Sequence, residues 1–115
     1  MAYAQGSIVL VENPYADGLR PVMIVSNDER PYQGKQYTVA IVTTTERSEA
    51  VQLAGDDLTE GSLNADPSFV NPWSVHEFEH VEIDRRVAQA SDDVIRAVGG
   101  GVARYVEPNP STTHD

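Results

Sequence analysis

A mainly β domain closing on one C-terminal helix is the fold this sequence predicts, and three features predict it. Short β-branched or apolar runs recur between turn formers, as at Ile8–Val11, Pro21–Val25 and Tyr37–Thr45. Gly, Pro, Asn and Asp punctuate every gap between those runs. Only after Ser91 does the apolar spacing change to a helical period, with Val94, Ile95, Val98, Val102 and Tyr105 on one stripe.

The first strand, Ile8–Val11, is stopped by Asn13-Pro14. Pro21–Val25 is the most apolar run, five residues long between Ala-Asp-Gly and Ser-Asn-Asp, and reads as a strand buried on both faces. Such a strand needs cover from the helix or from a second subunit, which makes a homodimer an expectation. Arg20 sits at the mouth of this strand, and the proline after it biases it towards extended backbone. By itself an arginine there is a solvated surface charge.

Residues 27–36 are polar, broken by Pro31 and Gly34, and read as a long mobile loop able to fold over a substrate. Tyr37–Thr45 is the third strand and Glu49–Leu53 a fourth, with Val51 and Leu53 alternating. Gly55 to Pro67 is a turn-rich acidic excursion, and Ser68–Asn71 and His80–Ala88 read as short strands, the latter with Val81 and Ile83 on one face. Ser91 is the natural N-cap of the helix, with Asp92 and Asp93 at the positive end of its dipole. Gly99, Gly100 and Gly101 interrupt the stripe, which signals close packing of the helix on the barrel or a break. The barrel domain spans residues 1–107, and 108–115 reads as a disordered tail.

At 115 residues the chain is one domain, long enough to bury about two thirds of its unfolded surface. It has no cysteine, so disulfides, thiolate metal sites and cysteine nucleophiles are excluded. No charged segment followed by an apolar stretch stands at Met1, and no apolar run approaches a membrane span, so a cytoplasmic location is expected. Net charge is −10, from 18 acidic against 8 basic side chains. Such a balance opposes nucleic-acid binding at ordinary ionic strength. Either the protein works in molar salt, where repulsion is screened within a few ångströms, or it does not bind nucleic acid. The acids cluster in turns and at the helix start, away from Arg20, which favours the first reading.

The ordered set Gly6–Val11, Asp17–Asp28 and Tyr37–Thr45 resembles the first three strands of the MazF/PemK toxins, and the stretch from Gly61 to His76 resembles that family's later Gly-Leu … Ser-Val-Val segment. The resemblance covers residues 6 to 106. It implies a small SH3-like barrel (MazF/PemK/CcdB-like), dimeric, that cleaves single-stranded RNA to 2′,3′-cyclic phosphate and 5′-OH ends without metal or other cofactor and is silenced by a cognate antitoxin. The family's arginine falls on Arg20 and its threonine on Thr43. A forked guanidinium suits a non-bridging phosphate oxygen, and a hydroxyl can donate to the same group. His76 is placed at the same mouth as an assisting acid or base, because imidazole titrates near neutrality. Gly18, Ser26, Asn27, Thr44, Trp73 and Ser74 are the expected substrate-binding residues, with the Trp73 ring as a stacking face. The Asn13–Leu19 loop lacks the family's Gly-Ser-Glu segment, so a replacement glutamate function would come from Glu12 or Asp17.

His76-Glu77-Phe78-Glu79-His80 matches the zinc-protease pattern His-Glu-x-x-His, which needs a helix to put both imidazoles on one face. Pro72 upstream and alternation downstream argue for turn and strand instead, and the remaining histidine, His114, lies in the tail. Two functions remain open: a metal-independent endoribonuclease toxin, or a silent barrel that binds a protein or peptide.

Overall fold

The computed structural model describes residues 2–110. Seven strands and one helix follow in the order β1 (Ser7–Glu12), β2 (Leu19–Ile24), β3 (Gln36–Thr43), β4 (Val51–Leu53), β5 (Leu58–Gly61), β6 (Ser68–Glu79), β7 (Ile83–Ala90) and α1 (Asp92–Val106). They form one antiparallel sheet in the order β4-β6-β3-β2-β1-β7-β5. The sheet curls into a nearly closed barrel: its two edge strands, β4 and β5, are joined directly by the 3-10 turn Gly55–Asp57. The Asp57 carbonyl accepts from the Ser91 amide at 2.8 Å, tying that turn to the start of α1.

The double-sided burial expected of the second strand is present, and the cover comes from within the chain. Met23 faces a cluster with Ile8, Ala40, Val42, Leu53 and Val70 that Val94 and Val98 of α1 close. Val22 and Ile24 face the opposite cluster with Val9, Val11, Tyr37, Val39 and Ile83, with Phe78 and Tyr3 packed at its margin. Alternate residues of β1, β2 and β3 therefore feed two cores, as period-2 geometry dictates. No second subunit is needed to bury β2, and that reason for a homodimer falls away.

Ser91 caps α1 by accepting from the Val94 amide at 3.3 Å. The helix lies across β6 and β4. Its triple glycine divides in two. A Cβ on Gly101 would stand 2.7 Å from Pro72 Cγ, so this glycine allows the helix to touch β6, whereas Gly99 and Gly100 have nothing within 4 Å of that position.

Three readings of the sequence are corrected. The acidic excursion holds a short turn and a real strand, β5, which pairs with β7 through Leu58↔Ala90 and Gly61↔Ala88; alternation over so few residues gives little signal. Ser68–Asn71 is the start of a strand of 12 residues, not a short one. Its pairing to β3 jumps from Ile41↔Asn71 to Ala40↔Val75, so Pro72, Trp73 and Ser74 bulge out, and a proline inside a strand is accommodated there. Val81 does not share a buried face with Ile83: it belongs to the 3-10 turn His80–Glu82 and is 86% exposed.

The loop at residues 27–36 is also not a lid over the mouth. It joins the ends of β2 and β3 opposite to Arg20 and Thr43 and is folded by its own bonds. Arg30 donates to Thr38 Oγ1 (2.9 Å), Pro31 O (2.7 Å) and Glu77 Oε1 (2.8 Å). Ser26 and Gln33 exchange two further hydrogen bonds, at 2.8 and 3.3 Å. Of the tail read at 108–115, residues 111–115 lie outside the described residues.

Candidate active site

Antiparallel register brings the two chief candidates together. β2 and β3 pair as Val22↔Ile41 and Met23↔Ala40. The ladder ends at Val22↔Ile41, and two residues beyond it on each strand stand Arg20 and Thr43, with the Arg20 side chain reaching the Val42 carbonyl. Both line a cleft of about 700 Å³ at this end of the barrel, together with Thr44, Arg85, Ser62 and Asn64.

The Arg20 guanidinium is held by one bond, from Nη2 to the carbonyl of Val42 at 3.2 Å. Its Nε is buried and has no partner among the described residues, nor does any described carboxylate reach ion-pair distance of Arg20. A guanidinium has five N–H donors, so most of this one's capacity is unspent. Thr43 Oγ1 accepts from the Thr45 amide at 3.2 Å, which leaves the hydroxyl hydrogen to be offered outward. Arg85, on β7, forms an ion pair with Asp84, but at 62% side-chain exposure that pair is weak and yields readily to an anion. The cleft wall carries two arginines and no aspartate or glutamate. In a chain of net charge −10 this is a local reversal of sign.

The family described as PemK-like, MazF-like toxin of type II toxin-antitoxin system matches residues 4–106. The chain belongs to that family. No curated protein sequence matches it. Among solved structures it is similar to an endoribonuclease in complex with its cognate antitoxin from a mycobacterial species, at TM-score 0.75 and 20% identity over 95% of this chain and 100% of that one. The toxin MazF-mt6 of Mycobacterium tuberculosis aligns at TM-score 0.66 and 20% identity, covering 90% and 99% of the two chains. MazE-MazF of Deinococcus radiodurans gives TM-score 0.71 and 16% identity, covering 93% and 97%. The SH3-like, MazF/PemK barrel expected from the sequence is thus the fold.

Within this MazF-like barrel the expected site residues separate into two groups. Arg20, Thr43 and Thr44 line the cleft, and Gly18 lines a hollow beside it. His76, Ser26, Asn27, Trp73 and Ser74 do not. His76 pairs with Val39, four residues back along β3 from Thr43, which is about 13 Å of strand. Ser26 is buried at the far end of β2, accepting from the Thr38 amide at 3.0 Å, and Asn27 caps the next turn by accepting from Glu29 N. Trp73 sits in the β6 bulge, edge-on to Tyr105 with centroids 6.1 Å apart, beside Ser74. β6 runs antiparallel to β3 from Phe69 opposite Thr43, so its residues after Asn71, Trp73, Ser74 and His76 among them, leave the mouth.

Arg85 and the wall Ser62–Ala65 are the residues that sequence reading missed. The signal for Arg85 was the adjacent pair Arg85-Arg86 in a strand, where neighbours point to opposite faces and one must face inward. Arg86 goes the other way, to Glu60 Oε1 at 2.6 Å.

The zinc-protease pattern does not form its helix: His76 is in β6 and His80 opens a 3-10 turn. His80 is engaged instead in the second core, its Nδ1 lying 2.8 Å from the buried Tyr37 hydroxyl. Among the described residues no helix is long and apolar enough to cross a membrane.

Proposed function

We propose that this chain is a toxin endoribonuclease that cuts single-stranded RNA by intramolecular attack, and that a cognate antitoxin protein is its partner. The observation that supports this most is the convergence of a nearly unpartnered guanidinium and a free hydroxyl hydrogen in a cleft without carboxylates, inside an otherwise acidic molecule. The 2′-hydroxyl of the substrate loses its proton and its oxygen bonds to phosphorus. The phosphorus–5′-oxygen bond breaks, and the 5′-oxygen takes up a proton. The products are a 2′,3′-cyclic phosphate and a 5′-hydroxyl, and the chemistry needs no metal.

Arg20 carries the largest share, by placing charge and forked donors on the non-bridging oxygens as negative charge grows in the phosphorane. Thr43 donates to the same phosphate. Arg85, across β1 from β2 on the same sheet, neutralises a neighbouring phosphate and fixes the strand's path. Neither imidazole nor carboxylate lines the cleft, so the proton leaves to water and returns from water.

The neighbouring structures described as endoribonucleases, and as toxin bound to antitoxin, support both halves of the reading. The test is incubation of purified protein with single-stranded RNA and EDTA across a range of salt concentrations. Cyclic-phosphate ends are expected from wild type and not from Arg20→Ala. Intact RNA at every salt concentration would overturn the proposal and leave a barrel that only binds other proteins.

A further inference from the structure

Ser62, Leu63, Asn64 and Ala65 form one wall of the Arg20 cleft and belong to the segment 62–67 that links β5 to β6. The two ends of that segment are anchored differently. At the β5 end Gly61 adopts φ +74°, and a Cβ there would collide with the Val87 carbonyl oxygen, so the chain passes tightly against β7. At the β6 end Ser68 is 4% exposed, and its hydroxyl donates to the Ala65 carbonyl at 2.8 Å. Outside the strand ladders, this is the one hydrogen bond that residues 62–67 make among the described residues, and none of the ion pairs there involves them. Four residues of the cleft are therefore fastened to the barrel by one hydroxyl.

Behind the wall lies a small hollow of about 70 Å³, lined by Leu53, Gly55 and Leu58 and by Ser62, Leu63 and Ala65 themselves. Three wall residues thus have the cleft on one side and unfilled space on the other. A connecting segment with room behind it and a single polar fastening opens locally at low cost. Ser68 itself is buried in β6, where its hydroxyl has little water to exchange for the Ala65 carbonyl. Arg20 and Thr43 stand on β2 and β3, so a shift of this wall changes the shape of the cleft and leaves those two groups where they are.

We propose that Ser68 is a positioning residue: its hydroxyl holds the wall Ser62–Ala65 off the hollow and so sets the width of the cleft that receives the substrate. Without that bond the wall leans into the hollow and the cleft loosens around its ligand. This rests on the ribonuclease reading above and adds the residue that keeps the binding surface in shape.

The experiment compares full-length wild type, Ser68→Ala, Ser68→Thr and, as a control for lost stability, Ile8→Val in the core. Amide hydrogen exchange without RNA follows the wall. Cleavage of a single-stranded oligoribonucleotide, and binding of its 2′-fluoro analogue, which cannot cyclise, follow the cleft. In Ser68→Ala, exchange at residues 62–66 is expected to quicken about tenfold relative to the rest of the chain, KM and the dissociation constant to rise about fivefold, and kcat to stay within about twofold. Ser68→Thr keeps the hydroxyl and should stay within about twofold of wild type in every readout, and Ile8→Val should leave KM unchanged. Equal exchange and equal KM in wild type and Ser68→Ala would overturn the proposal even if RNA is cut. A rise in KM that Ile8→Val shares would overturn it too, because lost stability would then account for the effect. Binding of the fluoro analogue that weakens in Ser68→Ala, with no cutting of RNA by wild type, would uphold the positioning role and defeat the cleavage proposal instead.

Discussion

Arg20 Nη2 donates to the carbonyl of Val42 at 3.2 Å, so the cation on β2 is fastened to the residue that precedes the Thr43 hydroxyl on β3. That single bond ties the two segments together and leaves guanidinium donors other than the buried Nε for a ligand. Replacing Arg20 by lysine keeps a charge but loses the planar fork. We expect Arg20→Lys and Arg20→Ala both to lower kcat for RNA cleavage by about 10² to 10³, with an unchanged melting midpoint. Thr43→Val should lose about tenfold and Thr43→Ser much less, because only the hydroxyl is asked to donate. Full activity in Arg20→Lys would show that charge alone suffices.

Arg85 gives a prediction about salt. Each phosphate neutralised on a single strand contributes a slope of about −0.7 to the logarithm of affinity against the logarithm of salt concentration. With two arginines in the cleft the expected slope of kcat/KM is about −1.4, and Arg85→Ala should reduce it to about −0.7 while leaving the position of cleavage unchanged. A slope untouched by the substitution would remove Arg85 from the substrate path.

Much of this architecture is legible from local pattern. The strand Pro21–Val25, the cap at Ser91 and the stripe Val94–Val98 follow from alternation, turn formers and helical period, because those signals are short-range. That Arg20 and Thr43 line one cleft was reachable only through family resemblance, since register between strands separated by a loop is a tertiary property. His76, Trp73 and Ser74 were misplaced for one reason: β6 pairs antiparallel to β3 starting from Phe69 opposite Thr43, so the residues after Asn71 run away from the mouth, and that pairing is not written in their spacing. Arg85 was overlooked because its importance comes from β7 lying next to β1, a neighbour more than 70 positions away in the chain.

The glycines of α1 make a stability prediction with opposite signs. Gly99 and Gly100 face open space, so alanine at either should raise stability by up to about 1 kcal/mol through helix propensity. Alanine at Gly101 would bring its Cβ to 2.7 and 2.8 Å from the Pro72 ring, and overpacking of this kind costs about 1–3 kcal/mol. Urea melts of the three variants measure this. A loss of stability in Gly100→Ala that grows with protein concentration would instead mark this helix face as a contact between two copies.

The separation of His76 from the cleft predicts the pH dependence. A reaction in which a positioned imidazole moves the proton gives a bell or an inflection near neutrality. One in which hydroxide and water carry it gives a logarithmic rate that climbs with pH at a slope near one. His76 is about 13 Å of strand from Thr43 and does not line the cleft, so the climbing profile is expected between about pH 6 and 8, and His76→Ala should follow the wild-type line. A bell-shaped profile that His76→Ala abolishes would mean that the imidazole reaches a cleft it does not line here, delivered by a neighbouring copy of the chain.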